Sequence, residues 1–269
     1  MSMTKKALLD TDFLFKTHLS QNLRKEPLAD VVMDFEGYEF FCHEKILDEL
    51  KTHGFDPDPI PWLEDKFGSG KIIRYSDKSI LDELEQMFGP GAPGMYFDML
   101  KRSCDAFKGS LFPAYYQQLI DLPDQVGKDE FLSSLVDCDS KIPSRNSMGE
   151  NKSFVLAQLL QLKYPGKVVV LCSDDSGARQ RVGYIDGKIK CLSVLAIFQK
   201  LMQDGFDRET AWQYYDSLCS FYSLRNQKAM KVWKHSTSER ISVEFQPLFE
   251  DIFAGKFEIK GSGDLRYKE

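Results

Sequence analysis

The run Lys167-Val168-Val169-Val170-Leu171-Cys172 is almost wholly apolar and ends in Ser173-Asp174-Asp175-Ser176-Gly177-Ala178-Arg179. A short, unbroken apolar run of this kind reads as a strand buried on both faces, as in parallel sheets covered by helices. Its two acids then stand at the strand exit, where the next turn opens a helix, and ligand and metal sites of open α/β sheets gather at such exits. The N-terminal segment repeats the device, because Lys6-Ala7-Leu8-Leu9-Asp10-Thr11-Asp12 is also an apolar run closed by acids. Two strands that end in aspartates point to one acidic pocket and to divalent metal chemistry.

The rest of the chain predicts an α/β protein with a central parallel sheet flanked by helices. Strands are expected at residues 6–10, 38–42, 71–74 and 167–172, and helices at 12–19, 27–35, 43–51, 79–87, 149–163, 193–203 and 207–222. An aromatic-rich helical insertion is expected over about residues 76–145, with Tyr96, Phe97, Phe107, Phe112, Tyr115 and Tyr116 as its core. Asp186-Gly187 reads as the turn of a short hairpin joining 182–184 to 188–191. The main domain is expected over residues 1–222, followed by a C-terminal extension, 223–269, that is basic at its start.

Composition narrows the function. The net charge is −6, so any phosphate-binding surface must be local. Six cysteines at 42, 104, 138, 172, 191 and 219 form no CxxC pair, and no Cys/His spacing reads as zinc. They read as free thiols in a reducing cytosol, and no segment reads as a signal peptide or membrane span, so a cytoplasmic protein is expected.

Asp10, Glu49, Glu150 and Asp175 form the candidate acidic set, two at strand ends and two on helices. Carboxylates that would repel one another are stabilised together by a hard cation such as Mg²⁺, which prefers oxygen ligands. Most of the 41 acidic residues must nevertheless be solvated surface groups, and an Asp after a strand is often a turn former or helix cap. Gly68-Ser69-Gly70-Lys71 lacks the spacing and context of a phosphate loop.

These blocks, taken in order, resemble the PIN-domain nucleases. Leu8-Leu9-Asp10-Thr11-Asp12 is similar to that family's opening, His43-Glu44-Lys45-Ile46-Leu47-Asp48-Glu49-Leu50 to its next helix, and Gly149-Glu150 to the start of a later helix. Ser173-Asp174-Asp175 with the trailing Ala178-Arg179 resembles its Ser/Thr-x-Asp block, and residues 189–197 resemble its late strand and helix. The resemblance implies a PIN-like fold and an endonuclease that hydrolyses phosphodiesters, RNA more than DNA, through a water activated by Mg²⁺ or Mn²⁺. Asp10, Glu49, Glu150 and Asp175 match the family's metal-binding acids. Asp12 is an added ligand or a supporting group, Asp174 competes with Asp175, and Ser173 and Thr11 support the site. Glu44 and Asp48 compete with Glu49, and Asp137 and Asp139 stand in for Glu150 if the match slips along this unusually long insertion. The partners implied are single-stranded or structured RNA; the family also allows an antitoxin-like protein inhibitor and a homo-oligomer.

Arg225, Lys228, Lys231, Lys234 and Arg240 bunch together with Glu239 as the one acid among them. Spread around a helix, with Tyr222 and Trp233 able to stack on bases, they would grip phosphates; a solvated face is the plainer reading. Arg179 is a phosphate ligand or the ion-pair partner of Asp174. Two alternatives remain open at this point: a PIN-like scaffold without activity, and an Mg²⁺-dependent phosphohydrolase using Asp10 as nucleophile.

Overall fold

The computed structural model describes residues 4–53, 56, 58–107, 111–120, 122, 126–143, 148–185, 187–235 and 237–269. The first half runs β1 (Lys5–Leu9), α1 (Thr11–Leu19), α2 (Leu28–Met33), β2 (Tyr38–His43), α3 (Lys45–His53), α4 (Ile60–Gly68), β3 (Ile72–Tyr75) and α5 (Asp77–Phe88). It continues through α6 (Ala92–Phe107), α7 (Leu111–Tyr115), α8 (Lys128–Ser140) and α9 (Met148–Lys163) to β4 (Val169–Cys172). Then follow α10 (Ser176–Ile185), β5 (Lys190–Leu192), α11 (Val194–Gln203), α12 (Arg208–Leu224), β6 (Ala229–Trp233), β7 (Arg240–Glu244), α13 (Phe245–Phe253), β8 (Phe257–Ile259) and β9 (Leu265–Tyr267).

β1 to β5 make one parallel sheet in the order β3-β2-β1-β4-β5. Its strands alternate between two cores, as a period of two requires. Ala7 and Leu9 of β1, Phe40 and Cys42 of β2, and Val170 and Cys172 of β4 face one core. Leu8, Phe41, Val169 and Leu171 face the other, which the insertion helices complete through Tyr96, Leu100, Phe131 and Leu135. Leu8, Phe41 and Phe131 are fully buried, each contributing roughly 1.5–3 kcal/mol of transfer free energy. The strand order reverses between β1 and β4, so the exits of these two central strands flank the topological switch point.

Two sequence expectations fail here. Residues 182–184 are not one arm of a hairpin; they lie in α10, where Ala178 and Val182, one turn apart, are both buried. Tertiary burial of that face outweighs the strand preference of Val182 and Tyr184. β5 instead extends the parallel sheet beside β4, and Asp186 lies outside the described residues. The helix around which Arg225, Lys228, Lys231 and Lys234 would be spread does not form either. β6 to β9 form a second, four-stranded sheet in the order β7-β6-β9-β8, so the basic cluster runs from the end of α12 through β6 to the first residue of β7. Gly261 and Gly263 carbonyls accept from Cys191 and Ser193 N–H at 2.9 and 3.3 Å, tying the loop before β9 to β5. Gly263 has φ +75°, and a Cβ there would stand 2.6 Å from the Cys191 carbonyl carbon, so the close approach requires glycine.

All six cysteines are free and buried. Among the described residues no helix is long and apolar enough to cross a membrane.

Candidate metal centre

Asp10 follows the last residue of β1 and occupies the N-cap position of α1, yet its side chain makes no capping bond. The carboxylate, 3 % exposed, accepts instead from the Ser173 hydroxyl at 2.8 Å across the switch point. Burial first, and then the nearby charge of Glu150, push Asp10 well above the ordinary carboxylate range; Ser173 opposes this, and Glu49 and Asp12 add to it. The start of α1, α3 and α9, far apart in sequence, thus bring acids within electrostatic reach of Asp10.

Glu49 reaches from α3 to the first residues of two other helices. Thr11 Oγ1 donates to its Oε2 at 2.5 Å, and Gly149 N–H donates to its Oε1 at 2.7 Å. A Cβ on Gly149 would lie 2.2 Å from Glu49 Oε2, so only glycine admits the carboxylate there. Glu150, in the first turn of α9, is raised to about 7 by burial, then by Glu49, with Asp175 and Asp12 contributing and its own backbone N–H opposing. Its Oε2 is buried with no hydrogen-bond partner. It borders a void of about 10 Å³ shared with Asp10, Ser153 and Ser173, the measure of about one water.

Asp175 is exposed and caps α10, accepting from Gly177 and Ala178 N–H at 2.7 and 3.3 Å, while its charge still raises Glu150. The carboxylates therefore cluster where α1, α9 and α10 begin, and helix N-termini favour negative charge.

The other sequence candidates have different partners. Asp174 is taken up by Lys16 Nζ at 2.6 Å, the Tyr222 hydroxyl at 3.0 Å and Val194 N–H at 3.2 Å. Asp12 lies at the rim, 3.6 Å from Lys16. Glu44 pairs with Arg74 at 3.2 Å and Asp48 with Lys45 at 3.0 Å. Asp137 is exposed and bound to Lys141, and Asp139 faces the buried Lys152.

Arg179 does not pair with Asp174, and its guanidinium is taken up by other groups of the protein. Only 3 % exposed, it donates to Ser173 O at 2.8 Å, Ser262 O at 3.0 Å and Asp264 Oδ1 at 2.6 Å, clasping the second sheet to the exit of β4. The ring of Trp233 is in contact with cations of the protein itself, Arg240 and Lys260 standing 4.7 and 4.1 Å from its centre. Arg225, expected beside the nucleic acid, lies over Phe221 at 4.2 Å, and Lys228, Lys231 and Lys234 are exposed.

No protein-family model, no curated protein and no solved structure matches this chain. The donor set is all oxygen, which suits Mg²⁺ or Mn²⁺ rather than a soft metal. The unpartnered Glu150 Oε2 fits such an ion as well. As the side chains stand, no group of three or more His, Cys, Asp or Glu among the described residues is disposed to hold a metal ion. Thr11, Gly149, Ser173 and the α10 N-terminus engage three of the four carboxylates, so those bonds would have to rearrange for the acids to share an ion.

A pH effect follows from Glu150. Between about 4.5 and about 7 the folded protein keeps a proton that the unfolded chain has released, so metal-free stability falls as pH rises through that window. Melting temperatures in chelator should therefore drop from pH 4.5 to pH 8, and Glu150→Gln should flatten the slope. A wild-type melting temperature that rises over this range would contradict the assignment.

Proposed function

We propose that this chain is a PIN-like, Mg²⁺- or Mn²⁺-dependent endonuclease that hydrolyses phosphodiesters, RNA in preference to DNA. The observation that carries the proposal is the gathering of acids at the exits of the two central strands, where Asp10 and the unpartnered Glu150 border one small void and Thr11 and Gly149 hold Glu49 nearby. The parallel strand order, with Asp10 and Asp175 after the two central strands, supports the PIN-like reading. The preference for RNA rests on the family resemblance.

Asp10, Glu49, Glu150 and Asp175 would hold the cation. When bound, it would supply Lewis-acid stabilisation of charge on the phosphodiester and activate a water. Ser173 fixes the Asp10 carboxylate and Thr11 that of Glu49. Asp174 holds Lys16 and Tyr222 in place beside the acids. Lys16 is thereby committed to Asp174 and Asp12, which disfavours a phosphohydrolase with Asp10 as nucleophile and a free lysine beside it.

The test is incubation with end-labelled single-stranded RNA in Mn²⁺ or Mg²⁺. Internal cleavage that chelator abolishes is expected; intact RNA and DNA in both metals would overturn the proposal. Gly149→Ala provides a finer check. Its Cβ displaces the Glu49 carboxylate, so the cutting rate should fall about 10–100-fold, as when a group that orients a metal site is lost. Stability should change by only about 1 kcal/mol, because the gain in helix propensity offsets the crowding. An unchanged cutting rate would remove Glu49 from the site.

A further inference from the structure

A cleft of about 460 Å³ opens between the exit of β4, the end of α12 and the second sheet. This is the size of a small-ligand site. It lies next to the acidic centre: Asp174 and Ser176, on either side of Asp175 in the chain, form one wall. β6 and β7 form the opposite wall through Lys231 and its cross-strand partner Ser242, joined by Arg240. Leu195, Leu218 and Met230 give it an apolar floor.

The charge balance favours an anion. Asp174 is neutralised by Lys16 at 2.6 Å. Asp264 is shared by two guanidiniums, Arg179 at 2.6 Å and Arg240 at 3.3 Å, so one positive charge there is uncompensated. Lys231 is exposed and has no ion pair among the described residues. Its position is fixed by the strand, whose alternate residues Met230 and Val232 are buried.

We propose that this cleft is a nucleotide subsite. It takes one nucleotide of a single strand, with the base over the apolar floor, the 2′- or base-edge polar groups near Ser176 and Ser242, and a phosphate at Lys231 and Arg240. The next phosphodiester then lies toward Asp175 and the acidic centre, so the inference rests on the nuclease reading and adds where the strand is held. A strand with its own apolar and anionic parts matches this lining better than a free inorganic anion, which would leave the floor unused.

The experiment measures anisotropy of a fluorescein-labelled oligouridylate with the full chain in metal-free buffer, where nothing is cut. Lys231→Glu should weaken binding at least tenfold, and Lys231→Ala should lower the salt slope by about 0.7, the value of one phosphate contact on a single strand. Lys231→Arg should retain affinity within about twofold, and Lys234→Glu, outside the cleft, should change it less than about threefold. Both residues substituted, Lys231 and Lys234, are exposed, and unchanged melting temperatures confirm folding. Equal losses in Lys231→Glu and Lys234→Glu, no loss in either, or no binding by the wild type would overturn the subsite. The nuclease reading fails separately: a wild type that binds as described but never cuts keeps the subsite and loses the activity.

Discussion

Asp10→Asn is expected to lower the Mn²⁺-dependent cutting rate roughly a thousandfold, since loss of a central ligand forfeits several kcal/mol of charge stabilisation. The substitution is nearly isosteric, and Asn can still accept from Ser173. Its effect on folding should have the opposite sign. Asp10 is buried beside Glu150 and Glu49, which oppose its ionisation; a neutral amide removes that repulsion. The metal-free variant should therefore melt at the same temperature as the wild type or above it. Loss of activity together with loss of stability would mean that Asp10 is a structural residue. Equal cutting by both proteins would place the chemistry elsewhere.

The strands that carry the acids were legible because their signal is local. The apolar runs ending at Leu9 and Cys172 need no distant partner to be read, and the acids that follow them sit where any parallel sheet would put them. The choice of Glu49 over Glu44 and Asp48 was not local. It is made by Thr11 and Gly149, which hold Glu49, and by Arg74 and Lys45, which take the other two. The role of Arg179 was illegible for the same reason: its partner Asp264 lies in a loop fixed only when the second sheet forms. That sheet pairs β6 with β9, across the intervening β7, α13 and β8, and no short-range pattern announces such a pairing. The helix expected for the basic cluster failed there.

Lys152 is the clearest case of a residue whose importance sequence reasoning missed. It lies on α9 two residues beyond Glu150 and is fully buried. Its ammonium is 2.8 Å from Asp139 of α8 and 3.0 Å from Asp77 of α5, with the Tyr96 hydroxyl at 3.3 Å. Tyr116 donates to Asp139 at 2.6 Å, and His43 Nε2 stands 3.3 Å from Asp77. Burial alone would lower Lys152, but Asp139 and Asp77 outweigh it and raise it above the ordinary lysine range. Burial alone would likewise raise Asp77, but Lys152, with His43 and Tyr96, holds it well below the carboxylate range. The network pins the first turns of α9, and with them Gly149 and Glu150, against the insertion. A lysine beside Ser153, Phe154 and Val155 on a helix buried nearly all round was the available signal.

Lys152→Met should therefore cost about 3–5 kcal/mol in urea unfolding, the penalty for stranding buried charge. The deficit should be largest at neutral pH. Asp77, held low in the wild type, contributes stability above the unfolded carboxylate range and loses it as pH falls. In the variant the stranded carboxylates take up protons in acid, so the difference between the two proteins should narrow toward pH 4. A loss below about 1 kcal/mol at pH 7 would show that the network does not hold α9.

The most direct measurement is calorimetric titration of Mn²⁺ into the wild type and Asp10→Asn at pH 7. Saturable binding by the wild type is expected, with protons released as the raised carboxylates become ligands, and at least a tenfold weaker affinity in the variant. The same affinity in both proteins, or no binding in either, would contradict convergence of these acids on a cation.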